Sequence, residues 1–204
     1  MLLLNSSIEL SATAPAPLST YTVSCTVADR VTGDAYYANY QFEKALAAYR
    51  EGLGYVGKND LPTLWATMQW VIGMANLEIG IRTRDAAIQR RLAEAVTAYG
   101  EALTVFKKSD FPEVWAAIEN NLGNVLGNQR TRTGGEAGTQ LLAQAVAAYR
   151  AALTVRTKET LPQGWAQTHN NLAKAALSLQ DWPTAAETYR NVLMSIRTMP
   201  RPTL

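Results

Sequence analysis

The side chains used most often in catalysis are scarce in this chain, which has one histidine, His169, and one cysteine, Cys25. Nucleophile pairs of cysteine and histidine are close in space and not in sequence, so a pair is conceivable. However, no acyl-transfer or oxyanion motif accompanies either residue. A single histidine and a single cysteine also fall short of a metal-ligand set. We therefore expect a protein that is not an enzyme and that holds no cofactor and no metal ion.

Asparagines form the most unusual polar pattern. The row consists of Asn120, Asn121, Asn124, Asn128, Asn170 and Asn171. Asparagine is a poor residue for a helix interior, because its side chain competes with the backbone for hydrogen bonds. A carboxamide offers donors and an acceptor, which suits the backbone of an extended peptide. For Asn121 and Asn171 an alternative stays open, in which they bond neighbouring backbone between repeated units.

The elements that position these residues repeat along the chain. Two aromatic residues recur 50 residues apart in three copies, and the tyrosine recurs once more after 40 residues. They are Tyr49, Tyr99, Tyr149 and Tyr189, with Trp65, Trp115 and Trp165. A fixed period of this size is typical of stacked supersecondary units, each of which buries its apolar face against its neighbours.

The spacing of apolar residues and the residues typical of helix ends predict eight helices in four antiparallel pairs. Pro62, Pro112 and Pro162 mark helix starts, because the missing N–H of proline is tolerated in the first turn. The segment 133–138 is predicted to be a loop, because it is rich in glycine. The predicted pairs are 20–39 with 41–56, 62–80 with 86–107, 112–128 with 139–157, and 162–179 with 182–198. Residues 1–18 are interpreted as an arm or linker, and residues 200–204 as a C-terminal tail.

The four units resemble the tetratricopeptide repeat (TPR), a helix pair with small and aromatic residues at fixed positions. The 50-residue period and the Asn-Asn-Leu segments resemble kinesin-light-chain-type repeats and the extended TPR regions of bacterial signalling proteins. The first and fourth units match without a gap, and the middle two carry ten extra residues between their helices. The matching residues are Gly33, Tyr36, Phe42, Ala45, Tyr49 and Leu53; Gly73, Leu92, Ala95, Tyr99 and Leu103; Gly123, Leu142, Ala145, Tyr149 and Leu153; and Ala173, Ala176, Trp182, Ala185, Tyr189 and Leu193.

The resemblance implies an all-α fold, a right-handed α-solenoid of about four antiparallel helix pairs over residues 19–199. The units are expected at about 20–57, 62–107, 112–157 and 162–199. In TPR proteins the first helix of each pair lines a concave groove that binds partners. By position, the expected groove residues here are Tyr37, Trp70, Met74, Asn120, Asn124, Asn128, Asn170 and Lys174.

The expected function is therefore a non-enzymatic interaction scaffold that binds a peptide or helix of a partner protein in this groove. The alternative is an oligomerisation or regulatory region of a larger signalling assembly, which associates through the ends of the array, including with further copies of itself. The net charge of +2 gives no electrostatic case for nucleic acid as the partner. No run of about 18 apolar residues suggests a membrane span, and the N-terminus lacks a signal-peptide pattern. We expect a cytoplasmic protein.

Overall fold

The computed structural model describes residues 20–82 and 87–197, and it is helical, with no strand in these two stretches. The predicted arm, residues 1–18, and the predicted tail, residues 200–204, lie outside them. Eight helices follow one another: α1 Thr20–Ala38, α2 Phe42–Leu53, α3 Pro62–Arg82, α4 Ala87–Leu103, α5 Pro112–Thr133, α6 Gly135–Leu153, α7 Pro162–Ser178 and α8 Trp182–Arg197. The all-α prediction is confirmed.

Most helix boundaries lie within a few residues of the predicted ones. Pro62, Pro112 and Pro162 are each the first residue of a helix, as predicted. The second helices of the first three pairs end three or four residues early, at Leu53, Leu103 and Leu153. After Leu53, the Gly54 N–H is bonded to helix carbonyls within the last turn, and the chain continues as turns.

The predicted loop at 133–138 is wrong. Helix α5 continues to Thr133 and α6 begins at Gly135, so that Gly134 alone separates them. Gly134 and Gly135 both have positive φ angles, 64° and 55°, a region that glycine enters without steric cost. The chain therefore reverses direction over two glycines, and the polar residues after them belong to the first turns of α6.

The helices pack in the order of the chain. Each first helix packs most extensively on the second helix of its own pair, and each pair then packs on the next pair. The first helices α3 and α5, and likewise α5 and α7, also contact each other directly. The core consequently runs through successive pairs, and residues 50 apart on α3, α5 and α7 occupy corresponding positions.

In each of the first three pairs, a tyrosine ring of the second helix lies against a glycine of the first helix. A Cβ built on Gly73 would lie 2.6 Å from Tyr99, and one built on Gly123 would lie 2.5 Å from Tyr149. Both tyrosines are buried in the core. The tyrosine ring occupies the space that a side chain at the glycine would need. In the fourth pair an alanine replaces this glycine, and the corresponding Tyr189 is only half-buried.

Candidate functional site

Two junctions between successive first helices use the same four positions with different chemistry. We call Trp70, Met74, Ile118 and Asn121, at the contact of α3 with α5, the apolar junction. We call Asn120, Asn124, Thr168 and Asn171, at the contact of α5 with α7, the polar junction. Each member of the second set lies 50 residues after a member of the first.

The apolar junction is held together by packing. Ile118 is fully buried in the central core cluster, and Trp70 and Met74 pack against that cluster while half-buried. The indole N–H of Trp70 is buried and has no hydrogen-bond partner within the described residues. Burial of apolar area is thus the main stabilising term at this junction.

The polar junction is a continuous chain of side-chain hydrogen bonds. The Asn171 amide donates to Asn124 Oδ1 at 3.0 Å and to Asn120 Oδ1 at 3.3 Å. The Thr168 hydroxyl lies 2.7 Å from the Gly164 carbonyl and 3.1 Å from Asn120 Oδ1, and its hydrogen can go to either. Because Asn120 and Thr168 are buried, their polar atoms need these partners.

The tyrosines beside the two junctions also differ in their hydrogen bonds. The Tyr149 hydroxyl donates to Asn124 Oδ1 at 2.9 Å, so this ring is part of the polar chain. Beside Tyr99, the residue that corresponds to Asn124 is Met74, whose side chain has no oxygen to accept a hydrogen bond. The buried Tyr99 hydroxyl interacts with Asn121 but makes no hydrogen bond of normal geometry among the described residues. Burial raises the pKa of both hydroxyls, so both are neutral at physiological pH.

A cavity of about 250 Å³ opens at one end of the polar junction. We call it the amide cavity. Its wall includes Asn124, Asn128, Asn171 and Tyr149, and the exposed Lys174 stands at its edge. The Asn128 amide donates to the Asn124 carbonyl at 2.8 Å, which fixes that side chain. Lys174 is the one charged residue among those that line the cavity, and it forms no ion pair with any described residue.

Three predicted groove residues, Asn124, Asn128 and Lys174, meet in the amide cavity. The prediction for Asn120 is wrong, because its side chain is 1% exposed and is bonded to Thr168 and Asn171. It supports the cavity wall from behind and offers no surface to a partner. Asn171, for which two interpretations were open, bonds across the junction to side chains and also lines the cavity.

The other predicted groove residues lie apart from the amide cavity. Trp70 and Met74 belong to the apolar junction, and Asn170 is half-buried without lining the cavity. Tyr37 packs edge-on against Phe42 at 5.0 Å, and burial raises the pKa of its hydroxyl to about 12. The structure thus brings three of the predicted polar residues together in one cavity, whereas Tyr37, Trp70 and Met74 pack against the core clusters.

The candidate catalytic residues do not form a site. Cys25 is half-buried in α1, whereas His169 in α7 packs edge-on against Trp165 at 4.5 Å. Burial lowers the pKa of His169, and its buried Nδ1 has no hydrogen-bond partner within the described residues. Over the same stretches, no group of three or more His, Cys, Asp or Glu side chains could hold a metal ion.

A scan against protein-family models found no match for this chain, and a search of curated proteins found no significant match either. Among the helices that the structure describes, none combines the length and the apolarity needed to cross a membrane. The case for function therefore depends on the residues and their geometry.

Proposed function

We propose that this chain is a non-enzymatic scaffold of the TPR type, an α-solenoid of four helix pairs that binds a peptide segment of a partner protein. The amide cavity is the proposed centre of the binding surface, with Asn124, Asn128, Asn171 and Lys174 as the contacting residues. The observation that carries the proposal is that three amides and one cation, which has no ion-pair partner in the part of the chain that the structure describes, meet at a single cavity.

The hydrogen-bonding capacity of the cavity supports a peptide ligand. The Asn128 amide donates to one acceptor within the protein and the Asn171 amide donates to two, and neither carboxamide oxygen is bonded to a described residue. Asn124 uses its oxygen and keeps its amide hydrogens. The cavity can therefore both accept from and donate to a peptide backbone, which carries one donor and one acceptor per residue.

Rigidity is the second supporting feature. The Asn124 and Asn171 side chains are held by Tyr149, Asn120 and each other, so they lose little freedom when a ligand binds. Preorganised polar groups contribute more to affinity than mobile ones, because less ordering entropy opposes binding. The ammonium group of Lys174 would then select for a carboxylate in the ligand, since complementary charge favours specificity.

The proposal is tested with random peptides displayed on phage and selected against the full chain. The affinity of an enriched peptide is then measured by isothermal titration calorimetry for wild type, Lys174→Gln and Asn128→Ala. We expect each variant to bind about 5- to 30-fold more weakly, because each removes a hydrogen-bonding group from the contact. Lys107→Gln is the matched control, since it makes the same chemical change on an exposed lysine between α4 and α5.

Unchanged affinity in both cavity variants, with peptides that still bind the chain, would place the binding surface elsewhere. A large loss in the Lys107→Gln control would indicate that overall charge, and not the cavity, governs binding. Circular dichroism of every variant shows whether the helices are retained, so that a loss of fold is not mistaken for a loss of contact.

Association through the end of the array is the alternative function, and one observation favours it. In the last helix, α8, Trp182 is 61% exposed and Leu193 is 63% exposed. Large exposed apolar side chains often mark contacts with other proteins, including further copies of the same chain. A scaffold of this type would join a larger assembly through α8 and leave the amide cavity free.

The two functions are separated by sedimentation equilibrium. If α8 associates, the apparent mass of the wild-type chain rises with concentration, and Leu193→Glu returns it to that of the monomer. If the chain stays monomeric at high concentration, the alternative is contradicted. The Leu193→Glu variant should in either case bind the selected peptide as wild type does.

A further inference from the structure

Arg156 occupies a position that is apolar in the two preceding units. The residues 50 and 100 positions before it are Phe106 and Val56, and both are buried in the core. Arg156 lies in the turn after α6 and is half-buried. A guanidinium group therefore replaces a core side chain at the contact between the third pair and α7.

Two neighbouring residues differ in a way that makes room for this group. Gly164 stands where the preceding units have Val114 and Leu64, and Thr168 stands where the preceding unit has Ile118. A Cβ built on Gly164 would lie 3.2 Å from both Cδ and Nε of Arg156, closer than side chains normally approach. The Arg156 Nη1 donates to the Thr168 hydroxyl at 3.0 Å. The three differences together replace an apolar contact with a guanidinium group that is packed against Gly164 and hydrogen-bonded to Thr168.

This cation has no counter-ion within the described residues. No carboxylate in that part of the chain forms an ion pair with Arg156. Arg91, which is 15% exposed at the side chain, instead pairs with both Glu43 and Glu94. Burial lowers the pKa of Arg156, but an arginine remains protonated in proteins. Withdrawing a cation from water without a partner opposes folding, so an external partner would be favourable here.

A second cavity, of about 370 Å³, adjoins this guanidinium, and we call it the Arg156 cavity. Its lining is Glu113, Arg156, Thr160, Leu161, Pro162, Gln163 and Gly164. A larger cavity of about 580 Å³ lies at the corresponding start of α3, but its one cation, Arg30, pairs with Asp34 at 3.3 Å. Within the described residues, the arginine of this larger cavity is therefore paired, whereas that of the Arg156 cavity is not.

We infer that the Arg156 cavity binds a single carboxylate, that of a glutamate or aspartate side chain in a polypeptide partner. The planar fork of a guanidinium matches the two oxygens of a carboxylate, and Nη1 is already oriented by Thr168. Glu113, whose side chain also lines the cavity, disfavours a phosphate more than a carboxylate, because repulsion grows with the charge of the ligand. This is a second site, distinct from the amide cavity, and it does not depend on the function proposed for that cavity.

The test is an NMR titration of the ¹⁵N-labelled full chain with N-acetyl-glutamate N-methylamide. We expect saturable shifts of the Arg156 Nε–H and Gly164 N–H signals, and no such shifts with the glutamine analogue. Arg156→Gln should weaken binding about tenfold or more, the loss expected for one charge-assisted hydrogen bond. Glu113→Gln should strengthen binding, because it removes the repelling charge. Arg132→Gln, on an exposed arginine near the other end of α5, is the control and should change the affinity less than twofold, within about 0.4 kcal/mol.

Equal shifts with the glutamine analogue would overturn the proposal, as would an equal loss in Arg132→Gln. Binding of inorganic phosphate without binding of the glutamate analogue would also overturn it. If Arg156→Gln does not fold, Gly164→Ala takes its place in the test. That variant keeps the guanidinium but crowds it, and it should weaken binding of the analogue while circular dichroism shows the helices retained.

Discussion

The contact of α3 with α5 and the contact of α5 with α7 show how one backbone arrangement carries two kinds of chemistry. At the apolar junction, Trp70, Met74 and Ile118 pack, and the nearby Tyr99 hydroxyl makes no hydrogen bond of normal geometry with a described residue. At the polar junction, residues 50 positions later form a chain of hydrogen bonds that includes the corresponding tyrosine. The difference lies in side-chain type alone, because the glycine–tyrosine contact beneath both junctions is the same.

The two junctions show that the interactions that stabilise a contact between helices differ from those that can recognise a partner. Packing of apolar side chains stabilises a junction but does not require particular residues, since neighbouring side chains can change in size as long as the total volume is kept. A buried hydrogen-bond chain adds less net stability and is costly when one partner is missing. The polar junction and both smaller cavities lie in the C-terminal half of the array, and that is where we propose recognition. The second pair has a buried amide too, Asn76, but it is bonded within that pair, to Ile72 and Arg91.

The largest effect is expected from the contact that both junctions share. Gly123→Ala places a Cβ against the Tyr149 ring, and we expect a loss of about 2–3 kcal/mol in the free energy of unfolding. Gly127→Ala is the matched control on the same helix, because its Cβ would meet only the Tyr149 hydroxyl, 4.0 Å away. We expect it to be neutral or to stabilise by up to about 1 kcal/mol. Urea denaturation measures both, and a similar loss in the two variants would contradict the proposed contact.

The next effect sharpens the contrast between the junctions. Thr168→Val keeps the volume but removes the hydroxyl that joins Arg156 to Asn120, and should lower the free energy of unfolding by about 1–3 kcal/mol. Thr26→Val is the control, since Thr26 is equally buried but its hydroxyl bonds only a carbonyl of its own helix. We expect a loss below about 1 kcal/mol there. Equal losses would mean that the polar chain contributes nothing beyond local bonds.

A smaller effect should appear on acidification. Burial lowers the pKa of His169 below its usual 6.5, although the charge of Glu187 opposes the shift. The unfolded chain therefore takes up a proton first, and stability that is present above pH 6.5 decreases as the pH falls below it. Glu119, whose pKa is raised by burial, acts in the opposite direction. The unfolding free energy of wild type should fall between about pH 7 and 5.5, and His169→Gln should lose most of this slope. The idea fails if the slopes are the same.

Much of the fold followed from the sequence because its period is long and regular. The spacing of Tyr49, Tyr99 and Tyr149 fixed the pairing of helices, and prolines fixed three helix starts. The loop predicted at 133–138 is wrong because glycine signals a turn without giving its length, and two glycines with positive φ suffice for the reversal. Local composition does not show how few residues a reversal needs.

The site was predicted less completely, because the face of a helix does not fix burial. Asn120 was assigned to the surface by its position in a repeat, but the polar partners that allow it to be buried, Thr168 and Asn171, lie on the next helix. Arg156 was missed altogether. A signal existed, since comparison with Phe106 and Val56 at the same position shows a charge replacing a core residue. Its contacts with Gly164 and Thr168 depend on how the turn after α6 packs against α7, which the sequence does not show.

The most direct test of the difference between the junctions removes the hydroxyl oxygen of the tyrosine beside each one. Tyr149→Phe breaks the bond to Asn124 and should lower the free energy of unfolding by about 0.5–1.5 kcal/mol. Tyr99→Phe removes a buried hydroxyl that has no hydrogen bond of normal geometry, and should leave stability unchanged or raise it, by up to about 1 kcal/mol. Both are measured by urea denaturation under the same conditions. Equal losses in the two variants, or a larger loss in Tyr99→Phe, would contradict the claim that the two junctions differ in their chemistry.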